Sequence, residues 1–216
     1  MNLMESKWQK AFAQIYLMVL SQLLWIVGCV LGLGVFGWLP ASILVFKLWE
    51  EVKSVTDVIR FRPFHFFKQH YFILLKKYAI PSGLLSLSIG ILFINIIYFG
   101  SYGGGLRLIG VVMSLLILRL LFQVSGLFAY LLTHFDGYSQ RDYWQNAFAY
   151  SVARLGEVIV WDVVIFALFL LIWQWVPGLL VLVGMGFLFG AFHFFYTCLV
   201  EGKDFSRLRY YWRQQD

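Results

Sequence analysis

The chain has 216 residues, of which 61% are apolar, 20% aromatic and only 13% charged, and its mean hydropathy is +0.78. Soluble domains carry about a quarter of their residues as charges, and outer-membrane barrels show alternating segments of about ten residues, so both classes are excluded in favour of an all-α, polytopic membrane bundle. The net charge of +6 does not point to nucleic acid, because the cations sit at helix ends and in a few connectors, where anionic headgroups attract them. The first partner is therefore the lipid bilayer.

In chain order, residues 1–10 are polar and basic, and 11–31 form a first span. Ile26-Val27-Gly28-Cys29 fits a loose lipoprotein cleavage pattern. The sequence stays apolar beyond Cys29, however, which reads as a retained span. Gly32, Gly34 and Gly37 loosen the chain before a short apolar run, 38–53, in which Pro40 suits a helix start. That run crosses a bilayer only if Lys47 snorkels to the near face. If it merely dips in, five spans replace six.

Residues 50–77 are the longest polar connector, with Phe61, Phe64, Phe66, Phe67 and Tyr71 interleaved with Arg60, Arg62, Lys68, Lys76 and Lys77. This predicts an aromatic, basic, interface-lying helix that leads into the third span, with a break at Pro63. Residues 78–99 form the third span, with Pro81 in its first turn, and 106–133 the fourth. An amphipathic segment at 134–156 follows. In it Ser139 and Asp142 resemble a capping box, and Trp144, Phe148, Ser151 and Leu155 share a face. The fifth span is 157–175 and the sixth 179–200, before a tail rich in Arg, Tyr and Trp. The whole chain, 1–216, reads as one integral-membrane domain.

Counting cations sets the orientation. With six spans and both termini cytoplasmic, 15 of the 17 Lys and Arg lie inside, Arg107 alone lies outside and Arg119 falls within a span. This is the positive-inside pattern. The outer turns are then too small to hold a binding domain, so partner contact falls within the bundle, on its lipid face or on the cytoplasmic side.

Arg119, midway along the fourth span, is the sharpest single feature. A charge at that depth is costly and normally faces a partner in the bundle interior. Gln123 lies one turn further along the same face, and Asp162 and His193 lie at comparable depth by residue counting. The expectation is an Arg119–Asp162 pair, acting as a structural clasp or as part of a small polar cavity with Gln123 and His193. Gly186-xxx-Gly190 is a close-packing spacing. Cys29 and Cys198 form no disulfide framework. No metal-ligand spacing, phosphate loop or nucleophile constellation occurs, so neither cofactor, metal nor catalytic residues are expected. A candidate cytoplasmic docking surface combines Arg60, Arg62, Phe64, Phe67, Lys68, Trp144 and Phe148.

The run LLWIVGCVLGLGVFGWLPASILVF, residues 23–46, resembles the opening of the YesL-like family of bacterial membrane proteins, the "domain of unknown function 624". The resemblance rests on Leu-Trp in the first span, the glycine-rich turn and Gly37-Trp38-Leu39-Pro40-Ala41. Phe64, Phe67 and Lys68 match in kind, as do His134-Phe135-Asp136 and the later Asn146-Ala147. It implies a multi-pass protein of the cytoplasmic membrane, typical of Gram-positive bacteria, whose genes neighbour carbohydrate ABC importers. It carries over no catalytic residues. The expected function is thus a non-enzymatic accessory or scaffold protein, with ABC importer permease subunits as partners. The alternative is a small stand-alone transporter or channel with a polar path through the bundle.

Overall fold

The computed structural model describes residues 7–52, 55–101, 104–135, 137–175 and 177–200. Helix is the only regular structure among them, as expected where no water is present to satisfy backbone polar groups. The helices are α1 (Lys7–Leu31), α2 (Trp38–Glu51), α3 (Val55–Arg60), α4 (Pro63–Gly100), α5 (Gly105–His134), α6 (Gln140–Ala153), α7 (Leu155–Trp175) and α8 (Pro177–Val200). Four of the described helices are long and apolar enough to cross a membrane: α1 over Ala11–Leu31, α4, α5, and α7 over Leu155–Gln174. That is the make-up of a multi-pass membrane protein.

The short helix α2 is the centre of the bundle. Leu39, Ala41, Ile43, Leu44, Val45, Phe46 and Leu48 are all essentially inaccessible, and α1, α4, α5 and α8 pack around them. A helix that is apolar on every side must be enclosed in this way. Its 14 residues are about 21 Å long at 1.5 Å per residue, short of a hydrocarbon core of about 30 Å. The helix of the run expected at 38–53 ends at Glu51. It runs beside the second half of α5 only: Trp38 meets Phe122 edge-on at 6.1 Å, and Glu50 meets His134.

The turn into α2 is held by hydroxyls and indoles. The backbone enters the left-handed region at Leu33 (φ 55°) and Gly34 (φ 71°), and the Gly34 N–H donates to the Cys29 carbonyl at 2.7 Å. The Val35 carbonyl accepts from Ser82 and Ser86 of α4, each at 2.9 Å. Ser82 also accepts the Leu39 N–H, and the Trp38 indole donates to Ser86 at 2.8 Å. Against α1, Trp25 donates to Ser42 and Trp49 to Ser21. The Tyr71 hydroxyl donates to the Gly28 carbonyl. Bonds of this kind between helices in lipid contribute roughly 0.6–2 kcal/mol each.

α4 joins the expected interfacial helix and the third span into one element. After the short α3, one helix of 38 residues runs from Pro63, at its first position, through Pro81 to Gly100. Between those two prolines nothing interrupts the helical pattern. Pro81 removes one backbone bond, a loss that helices packed in lipid tolerate. The fourth, fifth and sixth expected spans correspond to α5, α7 and α8. α6 covers the amphipathic segment and opens on the capping box: Ser139 accepts the Asp142 N–H, and the Asp142 carboxylate accepts the Ser139 N–H. The basic tail 201–216, together with Tyr102 and Asp136, lies outside the described residues.

α8 packs closely at the expected small-residue spacing, with Gly186 against α1 and Gly190 against α2. A Cβ at Gly186 would overlap the Met18 carbonyl group, and one at Gly190 would come within 2.9 Å of the Trp49 ring. The Gln22 side chain accepts the Met185 N–H at 3.0 Å.

Candidate functional site

Arg119 projects from α5 toward α7. Its Nε donates to one Asp162 carboxylate oxygen and its Nη2 to the other, both at 2.5 Å. This two-pronged arrangement matches the planar guanidinium to the planar carboxylate. Nη2 also donates to Gln123 Oε1 at 3.1 Å, one turn along α5. Tyr196 of α8 places its hydroxyl 3.4 Å from the same oxygen. The cluster thus ties α5, α7 and α8 together and carries no net charge. Its two ionised side chains remain about a third exposed, whereas Gln123 is 2% exposed. Gln123 Oε1 takes two donors, but its Nε2 is buried and has no hydrogen-bond partner.

Beside this cluster lies a cavity of about 390 Å³. Trp25, Trp38, Phe46, Phe122, Phe189 and Tyr196 supply aromatic walls, and Arg119, Gln123 and Asp162 supply the polar edge. A second hollow of about 400 Å³ runs along α7 and α8 between Ile165, Phe169 and Trp173, and shares Asp162 and Leu188 with the first.

His193 does not join Arg119 and Asp162. Its Nε2 lies 3.1 Å from Glu50 Oε1, and His134 Nδ1 lies 2.8 Å from the same oxygen. Aromatic rings hold both imidazoles: His193 stacks on Phe46 and Trp49, and His134 on Tyr130. This second cluster joins the ends of α2 and α5 to α8. Glu50 was not singled out by sequence reasoning, and His134 entered only through the family resemblance. The available signal was an acidic pair, Glu50-Glu51, closing an apolar run, and a histidine closing the fourth span. Spacing alone does not bring those ends together.

The residues of the candidate docking surface divide. Arg60, Arg62, Phe64, Lys68 and Phe148 are exposed. Phe67 is buried against Tyr71. Trp144 stacks on Phe128 at 4.0 Å, which fixes α6 to the core. The exposed members lie on α3, the start of α4 and α6.

Among the described residues no group of three or more His, Cys, Asp or Glu is placed to hold a metal ion. The geometry defines an α-helical, multi-pass membrane protein with a polar clasp that joins α5, α7 and α8. No family model, curated protein or solved structure matches the chain.

Proposed function

We propose that this chain is a non-enzymatic accessory protein of the bacterial cytoplasmic membrane, with both termini inside, that docks beside another integral-membrane protein. In this reading α1 and α2 form the first in-and-out pair. The remaining pairs are α4 with α5 and α7 with α8, giving six passes in total. Lys47 and Glu51, 3.8 Å apart, carry the end of the short α2 toward the cytoplasmic headgroups. The resemblance of residues 23–46 to YesL-like proteins makes the permease subunits of a carbohydrate ABC importer the proposed partner.

The observation that supports this reading best is the closure of the Arg119–Asp162 clasp. The strongest charges within the helices cancel one another and bind helix to helix, and the cavity next to them is walled by aromatic rings. A passage for hydrophilic solutes needs polar groups turned toward a common lumen. The exposed cations and rings of α3, α4 and α6 supply a surface on which a partner or headgroups can rest.

Extraction of native membranes with a mild detergent, followed by affinity capture of the chain, tests the proposal. Recovery of importer permease subunits in fixed ratio supports it. Recovery of the chain alone, under conditions that keep known membrane complexes intact, overturns it. A second reading, a small stand-alone transporter, has one observation in its favour. Glu50 Oε1 lies within hydrogen-bonding distance of two imidazoles, His134 and His193, a chain of side chains of the kind that forms proton relays in transporters. Proton-coupled uptake into vesicles holding only this chain is its test.

A further inference from the structure

We propose that the aromatic-walled cavity beside the Arg119–Asp162 clasp binds the ring of a neutral quinone that is carried on an apolar tail in the bilayer. The site stands apart from the docking role and holds whether or not a partner is found.

The polar groups around the cavity are satisfied within the protein, with one nitrogen left over that a ligand can reach. The Trp25 indole donates to Ser42, and the Ser42 hydroxyl to the Trp38 carbonyl. The Trp38 indole donates to Ser86, and the Ser125 hydroxyl to the Leu121 carbonyl. Tyr196 donates to Gln123 Oε1, and Gln123 Nε2 is sealed inside the protein. That leaves the guanidinium, whose N–H groups lie on three nitrogens. Nε and Nη2 bond to Asp162, and Nη2 also to Gln123. Nη1 takes part in none of these bonds and has no acceptor among the described residues. Unlike Gln123 Nε2, it is not sealed from contact. Arg119 lines this cavity and not the adjoining hollow. At mid-span, where water is scarce, a donor without an acceptor is costly.

Charge, walls and outlet define what supplies that acceptor. Asp162 already balances the Arg119 charge, so an anion would meet a carboxylate at close range, whereas a neutral carbonyl keeps the local balance. The walls include Trp25, Trp38, Phe46, Phe122 and Phe189. These rings hold one another in place: Trp38 meets Phe122 at 6.1 Å, Trp25 meets Phe189 at 6.3 Å and Phe46 meets Phe189 at 5.5 Å. Such walls favour a planar ring over an alkyl chain, because ring pairing adds to the gain from burial. The volume of about 390 Å³ falls in the range of small-molecule sites, roughly 300–1,000 Å³. The adjoining hollow of about 400 Å³ meets it at Asp162 and Leu188. Phe166 and Trp173 line that hollow and are exposed on the outside of α7, so it opens to lipid and gives a tail its way out. A quinone combines these properties: it is neutral and planar, and its ring oxygens only accept.

The test is equilibrium gel filtration of the full chain in detergent micelles that carry one of two probes. The first is a decyl-trimethylbenzoquinone, fully substituted so that no thiol adds to its ring. The second is decylpentamethylbenzene, in which methyl groups replace the two oxygens. Probe eluting with the protein is extracted and measured, and the share carried by empty micelles is subtracted. The wild-type chain is expected to retain the quinone about tenfold or more over the hydrocarbon, the worth of a hydrogen bond to a charged group. Arg119→Lys keeps a cation beside Asp162 but removes Nη1. It is expected to lower quinone retention about tenfold and to leave hydrocarbon retention unchanged. Leu188→Trp fills the junction of the two hollows without replacing a member of the polar cluster, and is expected to abolish quinone retention; it decides the matter if Arg119→Lys fails to fold. Leu108→Ala, at an exposed position of α5, is expected to retain the quinone as the wild type does. Equal or greater retention of the hydrocarbon overturns the proposal. So does wild-type quinone retention in a folded Arg119→Lys or Leu188→Trp chain.

Discussion

Gly186 of α8 lies against the Met18 carbonyl of α1 so closely that a Cβ at that position would overlap it. Backbone on both sides leaves no flexible group to yield, so the two helices must separate if the side chain grows. Gly186→Ala is expected to lower stability in detergent by about 2 kcal/mol, within the range for overpacking of a tight interface, and Gly186→Leu to prevent a monodisperse preparation. Thermal unfolding followed by circular dichroism measures both.

Gly90 provides the opposite case. It sits inside α4, and a Cβ there meets nothing within 4 Å. Alanine restricts the unfolded chain without a steric cost, so Gly90→Ala is expected to raise stability by about 0.5–1 kcal/mol. The same unfolding measurement checks the sign.

Ser82 is fully buried and serves both sides of the turn into α2, donating to Val35 and accepting from Leu39. Ser82→Ala leaves the Leu39 N–H without that acceptor and the Val35 carbonyl with Ser86 alone. A loss of about 1–2 kcal/mol is expected. Ser88→Ala removes only a bond to the Leu84 carbonyl within α4 and is expected to change stability by less than about 0.5 kcal/mol. Paired unfolding curves separate the two.

Orientation yields a fourth prediction. In a chain lacking Cys29 and Cys198, single cysteines at Lys10 and Lys68 are expected to resist a membrane-impermeant maleimide in intact cells and to react after permeabilisation. A cysteine at Gly104 is expected to react in intact cells. Labelling of Lys10 and Lys68 on opposite faces removes the shared cytoplasmic side.

Much of this architecture is legible in the chain because lipid imposes a simple code. Apolar runs of span length became α1, α5, α7 and α8, and the Ser139–Asp142 cap and the Gly186–Gly190 approach followed from local spacing. Arg119 and Asp162 were legible as a pair because two opposite charges at comparable depth have few other places to go. The continuity of α4 across Pro81 was not: Pro63 does open a helix, as a break there implies, but Pro81 read as the opening turn of a separate span, whereas packed neighbours tolerate a proline inside a helix. Nor was the placement of His193, which depends on how α8 passes the end of α2, a matter of packing angle rather than depth. Phe67 and Trp144 had the composition of an exposed surface, but ring stacking against Tyr71 and Phe128 turns both inward.

The central claim is that the charges within the helices hold α5 to α7, and a double-mutant cycle on Arg119 and Asp162 tests it most directly. Asp162→Leu or Arg119→Leu alone strands one charge in the bundle and is expected to cost about 3 kcal/mol, at the low end for a buried pair because each side chain is about a third exposed. The double variant Arg119→Leu/Asp162→Leu is expected to be more stable than either, with a coupling of about 3 kcal/mol or more in reversible unfolding. Single effects that simply add, to within about 0.5 kcal/mol, would contradict the clasp.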